Sequence, residues 1–491
     1  MNFNKKNYFE IVKQLNQILL SNSINNFKYN IPFLFLNREH PVFFSRYTSK
    51  KNYRFKLFFK NLFYVIYKLF CSLFLKRNKS NFDCLPKKVD FLFVSHMTNI
   101  NQIKNFDDQY FGSIINDLVK KKYKCLVIYI NHTNYKKQYI IDKSKNLNKF
   151  IIPNNANFFA EIKFLINCYI GYRDINLVKE NNNKIFNQIK YEIFSVHTIG
   201  LLRFKFFYNK ILNKIDPSYV VSTFEGHAYE RQVFYNSKLF NPRIINFAYQ
   251  HSIISKYVNT LNLKLNDNSY NPDIILCSGK SSFNFFKKNS NFKNYPINIL
   301  GSKNYNVSVP KKFDNSIKRN SCLIVPEGIY SECLFLLDFA VLSARLNKSI
   351  SFIFRLHPIV DLKKIKNQYN KEYKFPSNLI FSNSSFIEDI NVSSWVLYRG
   401  SSAVYNAIEH GLIPIYLSKE NELSIDSLHD LKKGKHSVLT PLELNSIIDN
   451  DISCNFSNNI SFQSSYKSYV KNIFSKLDDS VIVSEIKNHK F

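Results

Sequence analysis

The sequence predicts an α/β protein of two Rossmann-like domains that face each other across a cleft, with a helical N-terminal extension. Three observations carry that expectation. Short, continuous apolar runs recur between Val89 and Leu417, as expected of strands covered on both faces. Helical patterns separate these runs, which is the βαβ grammar of a parallel sheet. A polar stretch from Ser302 to Lys318, carrying Pro310, divides the runs into two series. The 491 residues exceed what one core can organise and suffice for two domains. The expected division is an extension at 1–85, a first domain at 86–310 and a second at 311–491.

In the extension, Phe55 to Leu75 reads FKLFFKNLFYVIYKLFCSLFL, with Lys51 and Arg54 before it and Lys76 and Arg77 after. Lys56, Lys60 and Lys68 interrupt the run, which argues against a single membrane span. Two readings remain open: an interfacial helix whose lysines reach anionic headgroups, and a helix packed on the protein's own core. The first domain opens with a strand at Val89–His96, a helix from about Tyr110 to Lys121 and a strand at Cys125–Ile130. The Asn- and Lys-rich middle, Asn131 to Asn213, reads mainly as helices, with Phe158–Ile170 the clearest. Strands follow at Tyr219–Thr223, Ile244–Tyr249, Ile274–Ser278 and Ile297–Leu300. The second series has strands at Cys322–Val325, Ser351–Arg355, Asn378–Phe381, Trp395–Tyr398 and Ile413–Leu417. Its clearest helices are Ser331–Leu346 and Ala403–His410.

Composition narrows the function. Apolar residues at 45% and charged residues at 21% describe a globular chain. A formal net charge of +32 points to anionic partners: a phospholipid face, nucleic acid or phosphorylated substrates. The lysines are spread along the chain, with no zinc-finger spacing, RRM signature or basic zipper, so no nucleic-acid partner is expected. The eight cysteines contain no CxxC pair, which fits neither a disulfide framework nor a zinc site. The first ten residues, MNFNKKNYFE, lack the apolar segment of a signal peptide, and a cytoplasmic location is expected.

Three segments carry candidate chemistry. In WVLYRGSSAVYNAIEHGLIPIYL, a buried strand ends at Tyr398, and Arg399, Gly400, Ser401 and Ser402 form the turn into a helix. First-turn N–H groups and the two serine hydroxyls there suit a phosphate, although Ser402 could equally serve only as the helix cap. In FIFRLHP, Pro358 holds His357 extended, so Arg355 and His357 fall on one side of a strand end and form an anion site. In YVVSTFEGHAYER, a strand delivers Glu225 to the cleft, with His227 and Glu230 next along. Glu225 is a candidate general base, Glu230 an alternative, and His227 a substrate contact or third option. Gln250 and His251, at the end of AYQHS, should reach the same cleft, as should Glu327 in VPEG and the Gly301–Ser302 turn. Asp107 and Asp108 read as caps of the first helix, not as metal ligands.

The order of these segments resembles that of GT-B glycosyltransferases of the capsule and surface-carbohydrate kind, over about Val89 to Asn450. Bacterial polysialyltransferases show an acidic-Gly, then an HP, then a paired-Ser motif, here Glu225–Gly226, His357–Pro358 and Ser401–Ser402. Teichoic-acid polymerases share a comparable layout. The resemblance implies an acidic general base, His357 and the serines on the donor's nucleotide phosphate, no cofactor and no obligatory metal. It also implies a nucleotide-activated sugar donor and a glycan or glycolipid acceptor, while the net charge and the basic extension add an expected peripheral contact with anionic inner-membrane lipid. Two departures stand out: Phe224 occupies a place where a carboxylate is often found, and Asn406 one where an acidic residue often lies near the ribose. A nucleotide-sugar epimerase and a non-catalytic assembly factor at the membrane surface are the competing readings.

Overall fold

Apolar runs without alternation have to be covered on both faces, and they are. The computed structural model describes residues 5–21, 26–35, 51–73, 81–104, 107–133, 139–141, 147–176, 184–305, 320–368, 375–454, 456 and 461–488. Strands β1 (Val89–Met97), β2 (Cys125–Asn131), β3 (Tyr139–Ile141), β4 (Leu147–Ile151), β5 (Pro217–Thr223), β6 (Ile245–Gln250), β7 (Ile274–Cys277) and β8 (Ile297–Ile299) form one sheet. Its order is β3-β4-β2-β1-β5-β6-β7-β8. Strands β9 (Ser321–Val325), β10 (Ser351–Phe354), β11 (Leu379–Phe381), β12 (Trp395–Tyr398), β13 (Ile413–Leu417) and β14 (His436–Val438) form the second, ordered β11-β10-β9-β12-β13-β14. Pairing is parallel throughout except between β3 and β4. Each sheet is buried on both sides, by separate apolar clusters. The α/β class with two parallel sheets is therefore the observed fold.

The differences from expectation lie at weak signals. The middle of the first domain is not mainly helical from its start: β3 and β4 form a small antiparallel edge before the helix Phe158–Asn176. In β4, LNKFI, the half-buried Asn148 and Lys149 interrupt the apolar run, although Phe150 packs on one face of the sheet and Leu147 and Ile151 on the other. The first helix begins at Ile114, four residues later than expected. Asp108 explains the delay: its carboxylate takes the N–H groups of Tyr110 (2.7 Å) and Phe111 (3.0 Å) and turns the chain before the helix starts. Asp107 accepts a hydrogen bond from the Asn116 amide (2.8 Å).

The first and last described helices both belong to the first domain's packing. The helix Lys5–Leu20 buries Tyr8, Val12, Leu15 and Leu19 in the core on one face of the first sheet. The last helix, Ser480–Asn488, buries Ile482 and Ile486 in the core on the other face. A division by residue number and a division by core thus differ in this final helix. Just before it, the chain crosses from the second domain to the first. The Ser302 N–H donates to the Ser475 carbonyl (2.8 Å), and the Asp478 N–H to the Leu300 carbonyl (2.9 Å). Gly301 has φ +89°, and a Cβ there would lie 2.1 Å from the Lys476 carbonyl oxygen. Gly301 and Ser302, expected at the cleft, instead receive this crossing segment. The junction expected at Ser302–Lys318 falls mostly on 306–319, outside the described residues, as do Lys76, Arg77 and the side chains of Lys51, Arg54 and Lys56.

Candidate functional site

The carboxyl ends of the two parallel sheets face each other, and the space between them holds two adjoining cavities. One, of about 450 Å³, is lined by Glu225, Ser252, Thr260, Glu327, Gly400 and Ser402, among others. The other, of about 500 Å³, is lined by His251, Arg355, His357, Ser401, Ser402 and Asn406 together with Phe386 and Tyr405. Ser252, Ile253 and Ser402 border both. Segments far apart in sequence therefore converge on one space at the strand ends.

On the first-domain wall, β5 ends at Thr223, Phe224 turns into the core, and Glu225 emerges. Phe224 is fully buried with the Arg231 guanidinium 5.1 Å above its ring. The position where a second carboxylate was considered is thus a core position. Gly226 has φ +82°, and a Cβ there would lie 2.4 Å from that of Thr260. Only glycine combines that backbone with that close approach. Glu225 Oε2 and His227 Nε2 are 3.0 Å apart, each side chain about a quarter exposed, at 27% and 29%.

Glu230 does not reach the cleft, and its role as an alternative base is corrected. It is fully buried, with Oε1 taking the Glu225 N–H (2.8 Å) and Oε2 the His227 N–H (2.7 Å). The Tyr229 hydroxyl donates to Oε1 as well (3.1 Å). Burial pushes its carboxyl up to about 7, against the opposing pull of His227 and the backbone N–H groups. Glu230 is a positioning residue that pins the Glu225–Gly226–His227 turn. Gln250 is likewise fully buried, and its amide nitrogen is held by the Ser252 carbonyl. Its neighbour His251 does line the second cavity.

Sequence reasoning missed a histidine cluster beside Glu225. His96, at the end of β1, lies 2.7 Å from the Tyr229 hydroxyl through Nε2 and 2.9 Å from His132 through Nδ1. The Tyr229 hydroxyl also bonds Thr223 (2.6 Å). Burial, then the neighbouring His132 and His227, lower His96 to about 3, so it is a neutral imidazole. The signal was available: β2, β1, β5 and β6 are adjacent, and their carboxyl ends deliver His132, His96, Glu225 and His251 to one edge.

On the second-domain wall, Arg355 follows β10 and His357 lies two residues on. Arg355 Nη1 is taken by Asp389 (2.7 Å), the Ser384 carbonyl (2.7 Å) and the Ser382 hydroxyl (3.2 Å). The carboxylate anchors one arm of the guanidinium and leaves Nε and Nη2 for the cavity. His357 Nδ1 accepts the Ile359 N–H (3.3 Å), which leaves the proton of the neutral ring on Nε2 as a donor. Burial lowers its pKa, with Glu327 opposing.

Arg399, expected at the phosphate, is corrected too. It is fully buried, with Nε on Glu332 (2.6 Å), Nη1 on the Leu417 carbonyl (2.9 Å) and Nη2 on Glu422. The Gly400 N–H, expected to meet a phosphate, donates to Glu327 Oε1 (3.1 Å). Ser402 begins the helix Ala403–Glu409, yet its side chain makes no capping hydrogen bond, so the cap-only reading does not apply. Ser401 Oγ accepts the Ala403 N–H at 3.4 Å. Among the described residues, no group of three or more His, Cys, Asp or Glu is placed to hold a metal ion.

No known protein family matches the chain, and no curated protein matches its sequence. Solved structures do align with it. The glycosyltransferase SnogD from Streptomyces nogalater aligns over 82% of this chain and 100% of its own, at 9% identity and a TM-score of 0.44. MurG from Acinetobacter baumannii aligns over 81% and 99%, at 10% identity and 0.43. TcCGT1, solved in complex with UDP, aligns over 82% and 100%, at 10% identity and 0.46.

Proposed function

We propose that the chain is a GT-B type glycosyltransferase that moves a sugar from a nucleotide-activated donor to a surface glycan or lipid-linked acceptor. One observation carries this reading: the cavity lined by Glu225 from the first domain is also lined by Gly400 and Ser402 from the second, and it adjoins the one that holds Arg355 and His357. A carboxylate and an anion-binding wall thus share one space, as transfer from a phosphate leaving group to a hydroxyl requires. The work would be done in the cytoplasm, in polysaccharide synthesis of the capsule or cell-surface kind.

The nucleotide lies in the second cavity. The free arm of Arg355, the Nε2–H of His357 and the hydroxyls of Ser401 and Ser402 meet its phosphates. The donor sugar extends into the first cavity, where Glu327 accepts hydrogen bonds from its hydroxyls. The acceptor hydroxyl attacks the anomeric carbon as Glu225 takes its proton, and the bond from that carbon to the phosphate oxygen breaks. The Nε2–H of His227 steadies the Glu225 carboxylate for this step. The negative charge that develops on the departing nucleotide is met by Arg355 and His357.

Thermal unfolding in the presence of CMP, CDP, UDP and GDP tests the donor site. A nucleotide at a hundred times its Kd should add about 2.7 kcal/mol of stability. One of the four should stabilise selectively, and Arg355→Ala and His357→Ala should each abolish that shift. Failure of all four nucleotides, or an unchanged shift in both variants, would end this reading.

A further inference from the structure

The helix Lys51–Leu73 contains no acidic residue and carries Lys51, Arg54, Lys56, Lys60 and Lys68. It sits on the first domain with a mixed face inward, polar at Asn61, Lys68 and Ser72 and apolar at Val65 and Leu69. Asn61 and Ser72 are buried, and Lys68 Nζ bonds the Asn154 carbonyl (3.3 Å) and the Asn155 amide oxygen. Tyr64, Val65 and Leu69 pack over the buried Arg203–Glu161 ion pair. Leu62, Phe63, Ile66, Tyr67 and Leu73 therefore face outward, 43 to 74% exposed. They recur three, four and seven residues apart along one helix face of roughly 17 Å.

The neighbouring helix Phe158–Asn176 packs alongside and extends this surface. Its Phe159, Ile166, Tyr169 and Ile170 are 79, 52, 63 and 40% exposed. A contiguous apolar face of this kind marks a contact surface, unlike apolar residues scattered singly. Lys60, Lys163 and Arg173 are exposed on the same two helices. A second copy of this chain would set that basic, acid-free helix against itself, in a protein that already carries +32. An anionic bilayer supplies the opposite charge and an apolar interior together.

We propose that this two-helix face docks on an anionic phospholipid bilayer, with the helix Lys51–Leu73 lying in the plane of the headgroups. Phe63, Ile66 and Tyr169 enter the acyl boundary, and the exposed Lys60 and Lys163 reach the phosphates. Among the described residues no helix is long and apolar enough to cross a membrane, which agrees with a helix lying on the surface. The docked helices belong to the same domain as Glu225, so a lipid-borne substrate would be presented on that side. The inference rests on this surface alone and holds whatever the cleft transfers.

Sedimentation of the full chain with phosphatidylcholine–phosphatidylglycerol vesicles, against phosphatidylcholine vesicles, tests it. Binding to the anionic vesicles should be stronger by on the order of tenfold or more. The double variant F63E/I66E should lose that binding by tenfold or more while it keeps the wild-type unfolding temperature and the nucleotide response. If the double variant does not fold, Tyr169→Glu on the neighbouring helix provides the same measurement. Equal vesicle binding by wild type and variant would overturn the proposal, as would no binding to anionic vesicles. Self-association in sedimentation velocity that F63E/I66E abolishes, without vesicle binding, would give the face to a second copy instead.

Discussion

The two walls of the cleft both carry their chemistry on strand ends, yet opposite charges hold them from beneath. In the first domain the Glu225–Gly226–His227 turn hangs on Glu230, a buried carboxylate whose partners are two backbone N–H groups and a phenol. The adjacent Arg231 acts on it only through space, because its guanidinium hydrogen-bonds the Leu263 carbonyl (2.7 Å) and Asn271 (3.0 Å) instead. In the second domain the turn at Gly400 is braced by Arg399, a buried guanidinium with two carboxylate partners. Burial works against the charge of Arg399, and Glu332 and Glu422 outweigh it, so its pKa is raised. The first brace is poised to change protonation, and the second is locked in its charged form.

That contrast can be broken at four places, the strongest first. Glu225→Gln should lower glycosyl transfer by about 10²–10⁴-fold and leave the nucleotide-induced thermal shift intact, because it touches only the first wall. Transfer at the wild-type rate would remove Glu225 as base. Arg399→Met leaves Glu332 and Glu422 buried without their cation and should cost about 3–5 kcal/mol in urea unfolding. A loss below about 1 kcal/mol, the range of exposed ion pairs, would show that solvent reaches this site.

Glu230→Gln should cost less, about 1–3 kcal/mol, since an amide nitrogen replaces one of two oxygens that face N–H donors. It should also change the pH profile. The native carboxyl is raised from 4.5 to about 7, so between these values the folded state keeps a proton that the unfolded state has released. The Glu230 contribution to stability is therefore complete below pH 4.5 and is lost as the pH rises through 7. Unfolding measured across this window should lose that slope in the variant, and an unchanged slope would assign it to another group. Smallest is Ser402→Ala, within about 0.5 kcal/mol of wild type, because its hydroxyl caps nothing. Ser385→Ala, in the same domain, should cost about 1 kcal/mol, since Ser385 Oγ does accept the Glu388 N–H. Equal losses in the two variants would restore the cap reading for Ser402.

Much of this was legible beforehand, and the exceptions have physical causes. Strands β1, β2, β5, β12 and β13 were readable because double-sided burial writes an unbroken apolar run. Strands β3 and β14 were missed because short edge strands need little apolar surface, and β4 because Asn148 and Lys149 break its apolar run. Arg355 and His357 were placed at the cavity by a strand end and a proline, both local rules. Glu230, Gln250 and Arg399 were assigned to the cleft because their residue types suit chemistry. Whether such a side chain turns outward or inward depends on partners as distant as Glu332 and Glu422.

By itself, the order of apolar runs and polar turns determined two parallel sheets and the strand ends that bear Glu225, His357 and the paired serines. Backbone period and burial act within a few residues, so they are written locally. Only the tertiary structure decided which charged groups face solvent, that the chain's last helix completes the first domain, and that the apolar side of Lys51–Leu73 faces outward. Those outcomes depend on contacts between segments up to hundreds of residues apart, which no local pattern encodes.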